Sequence, residues 1–202
     1  MIIHHRNKPL DSFLIEQLVD SFKKDEYLFP SKHAPDKVYS SFRKGKEKLP
    51  EFPGDVNAFY HNLIKELLIS LGVYGRVVCT NMMWCQIYND TTCGHPVHAH
   101  FSGEELFSWI HFVKAPKQNC FFFVDSNSQQ IFPEHQNSGD LIVFPSWVMH
   151  GAEPISDSDD RIIVAGNIIA NQYLDTPFSP HIMTCERINS NVKQWKITNR
   201  HD

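Results

Sequence analysis

The chain has 202 residues, 42% of them hydrophobic and 21% charged, with a net charge of −4. That length suits one domain with a real core, the composition is that of an ordinary soluble globular protein, and the charge gives no basic field for nucleic acid. No apolar run is long enough to span a bilayer, Met1–Lys8 is too polar for a signal peptide, and five cysteines without a C-x-x-C pair fit reduced thiols in a cytoplasmic setting.

The first predicted element is a helix over residues 9–25, opened by Pro9 and Asp11, with Leu10, Leu14, Leu18 and Phe22 recurring every four positions. Residues 27–53 carry Pro30, Pro35, Pro50, Pro53 and many charges, including the basic stretch Arg43–Lys48. They read as an irregular flap. A second helix follows, because Val56, Phe59, Tyr60, Leu63, Ile64, Leu67, Leu68 and Leu71 form one continuous apolar face. Gly54-Asp55 opens it and Gly72 closes it.

After Gly72 the texture becomes β-branched and aromatic. Strand-like runs cover Val73–Tyr88, Leu106–Val113, Asn119–Val124, Gly139–Phe144 and Arg161–Ile169, separated by turn-forming clusters. Many short strands at this spacing predict a mainly β barrel or sandwich with the two helices packed outside it. The expected organisation is one domain in three parts: helical support over 1–72, a β core over 73–172 and a weakly patterned extension over 173–202.

Twelve histidines are present, and their placement is informative. His98 and His100 stand at i and i+2, so on a strand they share a face, roughly 7 Å apart at Cα. Two imidazoles so placed can converge on one ion. The run Gly139-Asp140-Leu141-Ile142-Val143-Phe144-Pro145-Ser146-Trp147-Val148-Met149-His150 reads as a turn, a buried strand, and a second turn ending in a third histidine. A rolled sheet can bring all three onto one interior face. Arg161 opens the next strand, where it either pairs with Asp159-Asp160 at the surface or points inward to clamp a carboxylate.

These pieces resemble the iron(II)- and 2-oxoglutarate-dependent oxygenases of the prolyl-hydroxylase-like type found in bacteria and their phages. The resemblance covers Trp84–Ile169 and rests on Trp84–Tyr88, His98-Ala99-His100, Phe107–Val113, Gly139–His150 and Arg161–Asn167, in that order. It implies a double-stranded β-helix (jelly roll, cupin-like). It implies iron ligation by His98 and His150, and a 2-oxoglutarate carboxylate on Arg161, with Tyr88 where a strand tyrosine contacts the same cosubstrate. It also implies molecular oxygen as a partner and a small-molecule or peptidyl substrate, hydroxylated as 2-oxoglutarate goes to succinate and carbon dioxide. Trp109, His111 and Trp147 are candidates for the pocket wall.

One position departs from the family pattern. The carboxylate ligand two residues after the first histidine is replaced here by His100. Either three histidines bind the metal, or Glu104, or next Glu105, supplies the charge. A three-histidine face carries one negative charge fewer, holds iron(II) less firmly and leaves it more electrophilic. A cupin is the rival reading, because His98-x-His100-x-x-x-Glu104 matches a cupin motif of two histidines and a glutamate. It would be a dioxygenase or isomerase that needs no 2-oxoglutarate, and it has no fixed role for Arg161. A non-catalytic binding module on the same fold is the third reading. The substrate and the oligomeric state carry no signature in the sequence.

Overall fold

The structure, a computed structural model, describes residues 2–31, 34–42, 51–72, 77–88, 94–100, 105–154, 161–173, 183–187 and 194–199. Helix α1 spans Ser12–Phe22, and the Asp11 side chain caps it by accepting from the Leu14 N–H at 2.9 Å. Helix α2 spans Gly54–Ser70 and buries Val56, Tyr60, Leu63, Ile64, Leu67 and Leu68 on one face. At roughly 1.5–3 kcal/mol for each large apolar side chain, that face is the main reason the helix docks. Gly72 ends the turn in the left-handed region, at φ +71.

Thirteen strands are found among the described residues. In chain order they are β1 (His4–Asn7), β2 (Leu28–Ser31), β3 (Ala34–Ser40), β4 (Val77–Tyr88), β5 (His95–His98), β6 (Glu105–Lys114) and β7 (Phe121–Val124). Then come β8 (Gln130–Ile131), β9 (Asp140–Pro145), β10 (His150–Ala152), β11 (Arg161–Tyr173), β12 (Met183–Arg187) and β13 (Gln194–Asn199). They form a large sheet with the path β1-β9-β6-β11-β4-β13-β12, and a smaller one in the order β5-β10-β7-β8. Two facing antiparallel sheets of this kind are a double-stranded β-helix, the expected fold.

Strict alternation divides the large sheet's side chains between two cores. On one face Met83, Cys85, Ile87, Trp109, Val113, Leu141, Val143, Ile162, Val164 and Ile168 pack with the helices. On the other, Trp84, Tyr88, Ile110, Phe112, Ile142, Phe144, Ile163 and Ala165 turn inward, joined by Phe121 and Phe123 from the small sheet. The second face encloses the site.

Two regions differ from the sequence reading, and a third, the C-terminal extension, takes a form that its weak patterning left open. The 27–53 segment is not irregular throughout: β2 and β3 form a hairpin whose second strand pairs with β4, Val38 opposite Tyr88. Pro30 and Pro35 fall outside the paired register, so their missing N–H groups cost no ladder bond. The basic stretch Arg43–Lys48 lies outside the described residues. The polar N-terminus supplies β1, which pairs with β9 through four residues. The C-terminal extension forms the β12–β13 hairpin, and β13 joins the edge of β4 next to Val78–Thr80. Among the described residues no helix is long and apolar enough to cross a membrane.

Candidate metal centre

Strand pairing in the small sheet assembles the centre. His150 of β10 lies directly opposite His98 of β5, where facing side chains stand about 5 Å apart. The strand ends at His98, so His100 lies just past it, held by its N–H donating to the Ser146 carbonyl at 2.9 Å. His98, His100 and His150 each offer a ring nitrogen, and the three atoms lie within 4.8 Å of one another.

The hydrogen bonds of these rings fix which nitrogen faces inward. His98 Nδ1 bonds the Pro96 carbonyl at 2.8 Å, His150 Nδ1 the Val148 carbonyl at 2.9 Å, and His100 Nδ1 the Asn167 amide oxygen at 2.7 Å. Each partner only accepts, so each Nδ1 carries the proton and each Nε2 keeps a lone pair. Asn167 is oriented in turn by the Ser108 hydroxyl, which donates to the same oxygen at 2.9 Å. The Nε2 atoms of His98 and His100 then face each other at 2.9 Å.

Burial keeps these rings neutral. It lowers the His98 pKa, against the raising effect of the Pro96 carbonyl. It lowers that of His100, with the Asn167 bond and Glu105 opposing and His98 adding. It pushes His150 down to about 3, helped by the fields of His98 and His100. The donor set suits a divalent transition ion, which requires deprotonated imidazoles.

The same cavity holds a buried cation. Arg161 is 2% exposed and lies opposite Tyr88 across the β11–β4 ladder. Its guanidinium carbon sits 3.6 Å from the Tyr88 ring centroid, and Nη1 donates to Cys120 Sγ at 2.7 Å. Nε and Nη2 are buried with no hydrogen-bond partner among the described residues. An arginine stays charged, and two unmatched buried donors fit a carboxylate. The cavity is about 550 Å³ including its open mouth. Gln86, Tyr88, Arg161, Ile163 and Ala165 line it together with the three histidines.

The remaining candidates are divided: Trp109 borders the cavity, while His111 and Trp147 do not line it. Alternation sends Trp109 and His111 toward the helices while Ile110 and Phe112 face inward. Trp109 borders the cavity, but its ring stacks on Tyr60 at 5.6 Å and donates to Asn81 Oδ1 at 3.1 Å. His111 is fully buried with Nδ1 2.8 Å from the Tyr60 hydroxyl. Trp147 lies in the turn between β9 and β10 and is 60% exposed. Glu104 lies outside the described residues; Glu105 opens β6 and is not part of the three-nitrogen cluster.

Several contributors escaped the sequence reading. His95 lines the cavity 4.6 Å from the His98 ring. Burial first, then the fields of His98, Arg161 and His100, lower its pKa to about 4. Asn167 and Ser108 orient His100. A usable signal existed for Asn167: it is six residues from Arg161 on one strand, and therefore on the same face.

The arrangement is a β-helix enclosing a three-histidine centre and a buried arginine. No protein-family model and no curated protein sequence matches the chain. Its structure is similar to three solved oxygenase-fold proteins. One is a Pseudomonas putida prolyl-4-hydroxylase, with 13% identity, 83% of this chain and 92% of that chain covered, and a TM-score of 0.54. Another is the viral collagen prolyl hydroxylase of Paramecium Bursaria Chlorella virus-1, solved with 2OG, with 15% identity, 83% and 96% coverage and a TM-score of 0.53. The third is a non-heme alpha-ketoglutarate-dependent epimerase from nogalamycin biosynthesis, with 11% identity, 82% and 77% coverage and a TM-score of 0.56. The chain therefore has the jelly-roll fold of the 2OG-Fe(II) oxygenases.

Proposed function

We propose that this chain is an iron(II)- and 2-oxoglutarate-dependent oxygenase that hydroxylates an unactivated C–H bond and releases succinate and carbon dioxide. One observation carries the reading: three Nε2 lone pairs converge in the same cavity as a buried guanidinium with two unmatched donors. A ligand that answers both needs a metal-binding end and a carboxylate at the other end, as a short keto-diacid has.

In this reading His98, His100 and His150 hold the metal. Their Nδ1 partners fix the ring planes, so the site is shaped before the ion arrives. Arg161 binds the far carboxylate through Nε and Nη2, and Tyr88 supports the guanidinium with its ring face. Ile163, Ala165, Phe121 and Phe144 give an apolar wall that excludes water from the reacting end. When bound, iron(II) with 2-oxoglutarate and oxygen supplies the oxidising power, which the protein directs by position. The all-histidine face is neutral, so the cosubstrate would supply the negative charge. The epimerase among the similar structures shows that one fold can host other outcomes, so the hydroxylation step rests on the resemblance of the motifs.

The test is conversion of 2-oxoglutarate to succinate by purified protein with iron(II) and oxygen. Turnover that requires iron and disappears in His150→Ala supports the assignment. Tight iron and 2-oxoglutarate binding with no succinate, across a panel of free amino acids and peptides, would leave a binding module instead.

A further inference from the structure

A second cluster of metal-type ligands lies where β1 meets β9. Asp140 stands opposite Asn7, and His5 is two residues along on the same face of β1. His135 comes from the turn before β9, and its ring stacks on that of His5 with centroids 3.7 Å apart. His5, His135 and Asp140 each offer one ligand atom, all within 4.8 Å of one another. None of the three lines the cavity.

We propose that His5, His135 and Asp140 form a second metal site, for a zinc-class divalent ion, that fastens the N-terminal strand to the rim of the β-helix. Two imidazoles and one carboxylate are a common zinc donor set, with water at the fourth position. A tetrahedral ion with bonds of about 2.0–2.1 Å places its ligand atoms about 3.4 Å apart. His5 Nε2 and Asp140 Oδ1 are already 3.0 Å apart. His135 is exposed, so its ring can turn to complete the set without disturbing the core.

The surroundings hold the ligands in place. Asn7 Nδ2 donates to Asp140 Oδ1 at 2.8 Å, and the Asn137 N–H donates to Oδ2 at 2.8 Å. The turn carrying His135 is clamped by Gln136. Its Oε1 accepts from the Cys120 and Phe121 N–H groups at 3.2 and 2.9 Å, and its Nε2 donates to the Phe121 and Pro133 carbonyls at 2.8 and 2.9 Å. Two ligands therefore sit on paired strands and the third beside a pinned backbone. Among the described strands β1 pairs only with β9, so an ion here would add to the four residue pairs and the Arg6–Glu66 contact that hold this edge.

The site is tested with the full-length chain stripped of metal and titrated with Zn²⁺ against a chromophoric chelator, alongside thermal melts. The double variant His98→Ala/His150→Ala is expected to keep one zinc equivalent and to melt higher with it. Adding His135→Ala should abolish both effects. If the double variant does not fold, wild type and single His135→Ala decide, since His135 is exposed: two equivalents are expected against one. Unchanged stoichiometry and affinity in His135→Ala would overturn the proposal. A failure of the barrel site would lower both counts by one and leave that difference intact.

Discussion

Replacing Arg161 with Met should separate ligand binding from stability, moving them in opposite directions. Met approximates the side-chain volume and removes the charge. In the protein alone the guanidinium is 2% exposed, with Nε and Nη2 unmatched. Exchanging a poorly compensated buried ion for an apolar side chain is often stabilising by about 1–4 kcal/mol. The lost stacking on Tyr88 offsets about 0.5–2 kcal/mol of that gain. The expected net is a gain of about 1 kcal/mol, or about 2–4 °C in Tm for a chain of this size. Binding should go the other way. Two charge-assisted bonds of about 1.5–3 kcal/mol each are lost, which at 1.4 kcal/mol per decade is a fall of at least about a hundredfold in 2-oxoglutarate affinity. Anaerobic calorimetry with iron(II) present measures the affinity, and scanning calorimetry without ligand measures the Tm. An unchanged 2-oxoglutarate affinity in Arg161→Met would refute the assigned role. A large drop in Tm would show that the guanidinium serves the fold instead.

Two further outcomes test the support of the centre and the helix-side core. Asn167→Ala removes the acceptor that orients His100, so metal affinity should fall about ten- to a hundredfold, while Asn167→Asp, which keeps an acceptor, should retain most of it. Acid stability should depend on His111. Its burial lowers the pKa from 6.5 to about 4, so the ring is neutral in both states above 6.5 and only the unfolded chain takes up its proton between the two values. Stability is therefore fully present above pH 6.5 and lost as pH falls toward 4, by about 3 kcal/mol from this residue. Denaturant titrations across that window should show a shallower loss in His111→Asn, which keeps an acceptor for Tyr60; equal slopes would assign the loss to other groups.

The elements with strong internal patterning were legible in the sequence. The two helices announced themselves through their apolar stripes, and the long strands β4, β6, β9 and β11 through β-branched runs bounded by turn residues. The edge strands were not legible. The sequence of β1 is His-His-Arg-Asn, with no apolar face to read, and only β9 reveals it as a strand. The β2–β3 hairpin is hidden by Pro30 and Pro35, which mark a loop unless the register that spares them is known. For the site, the spacing of His98, His100 and His150 carried the assembly. Which nitrogen faces inward depends on carbonyls of Pro96 and Val148, and backbone oxygens leave no trace in residue identity. His111 shows the limit of reasoning by size and proximity. It stands on a strand that lines the cavity, but its ring packs on the helix side against Tyr60, whereas Trp109 still borders the cavity.

The central claim is that the three histidines hold iron(II) in the same cavity where Arg161 receives 2-oxoglutarate. Its most direct test is an optical titration of the anaerobic iron(II) protein with 2-oxoglutarate. A metal-to-ligand absorption band is expected that needs both iron and 2-oxoglutarate, saturates at one equivalent and is absent in His150→Ala. Iron-loaded protein that gives no such band at saturating 2-oxoglutarate would contradict the claim.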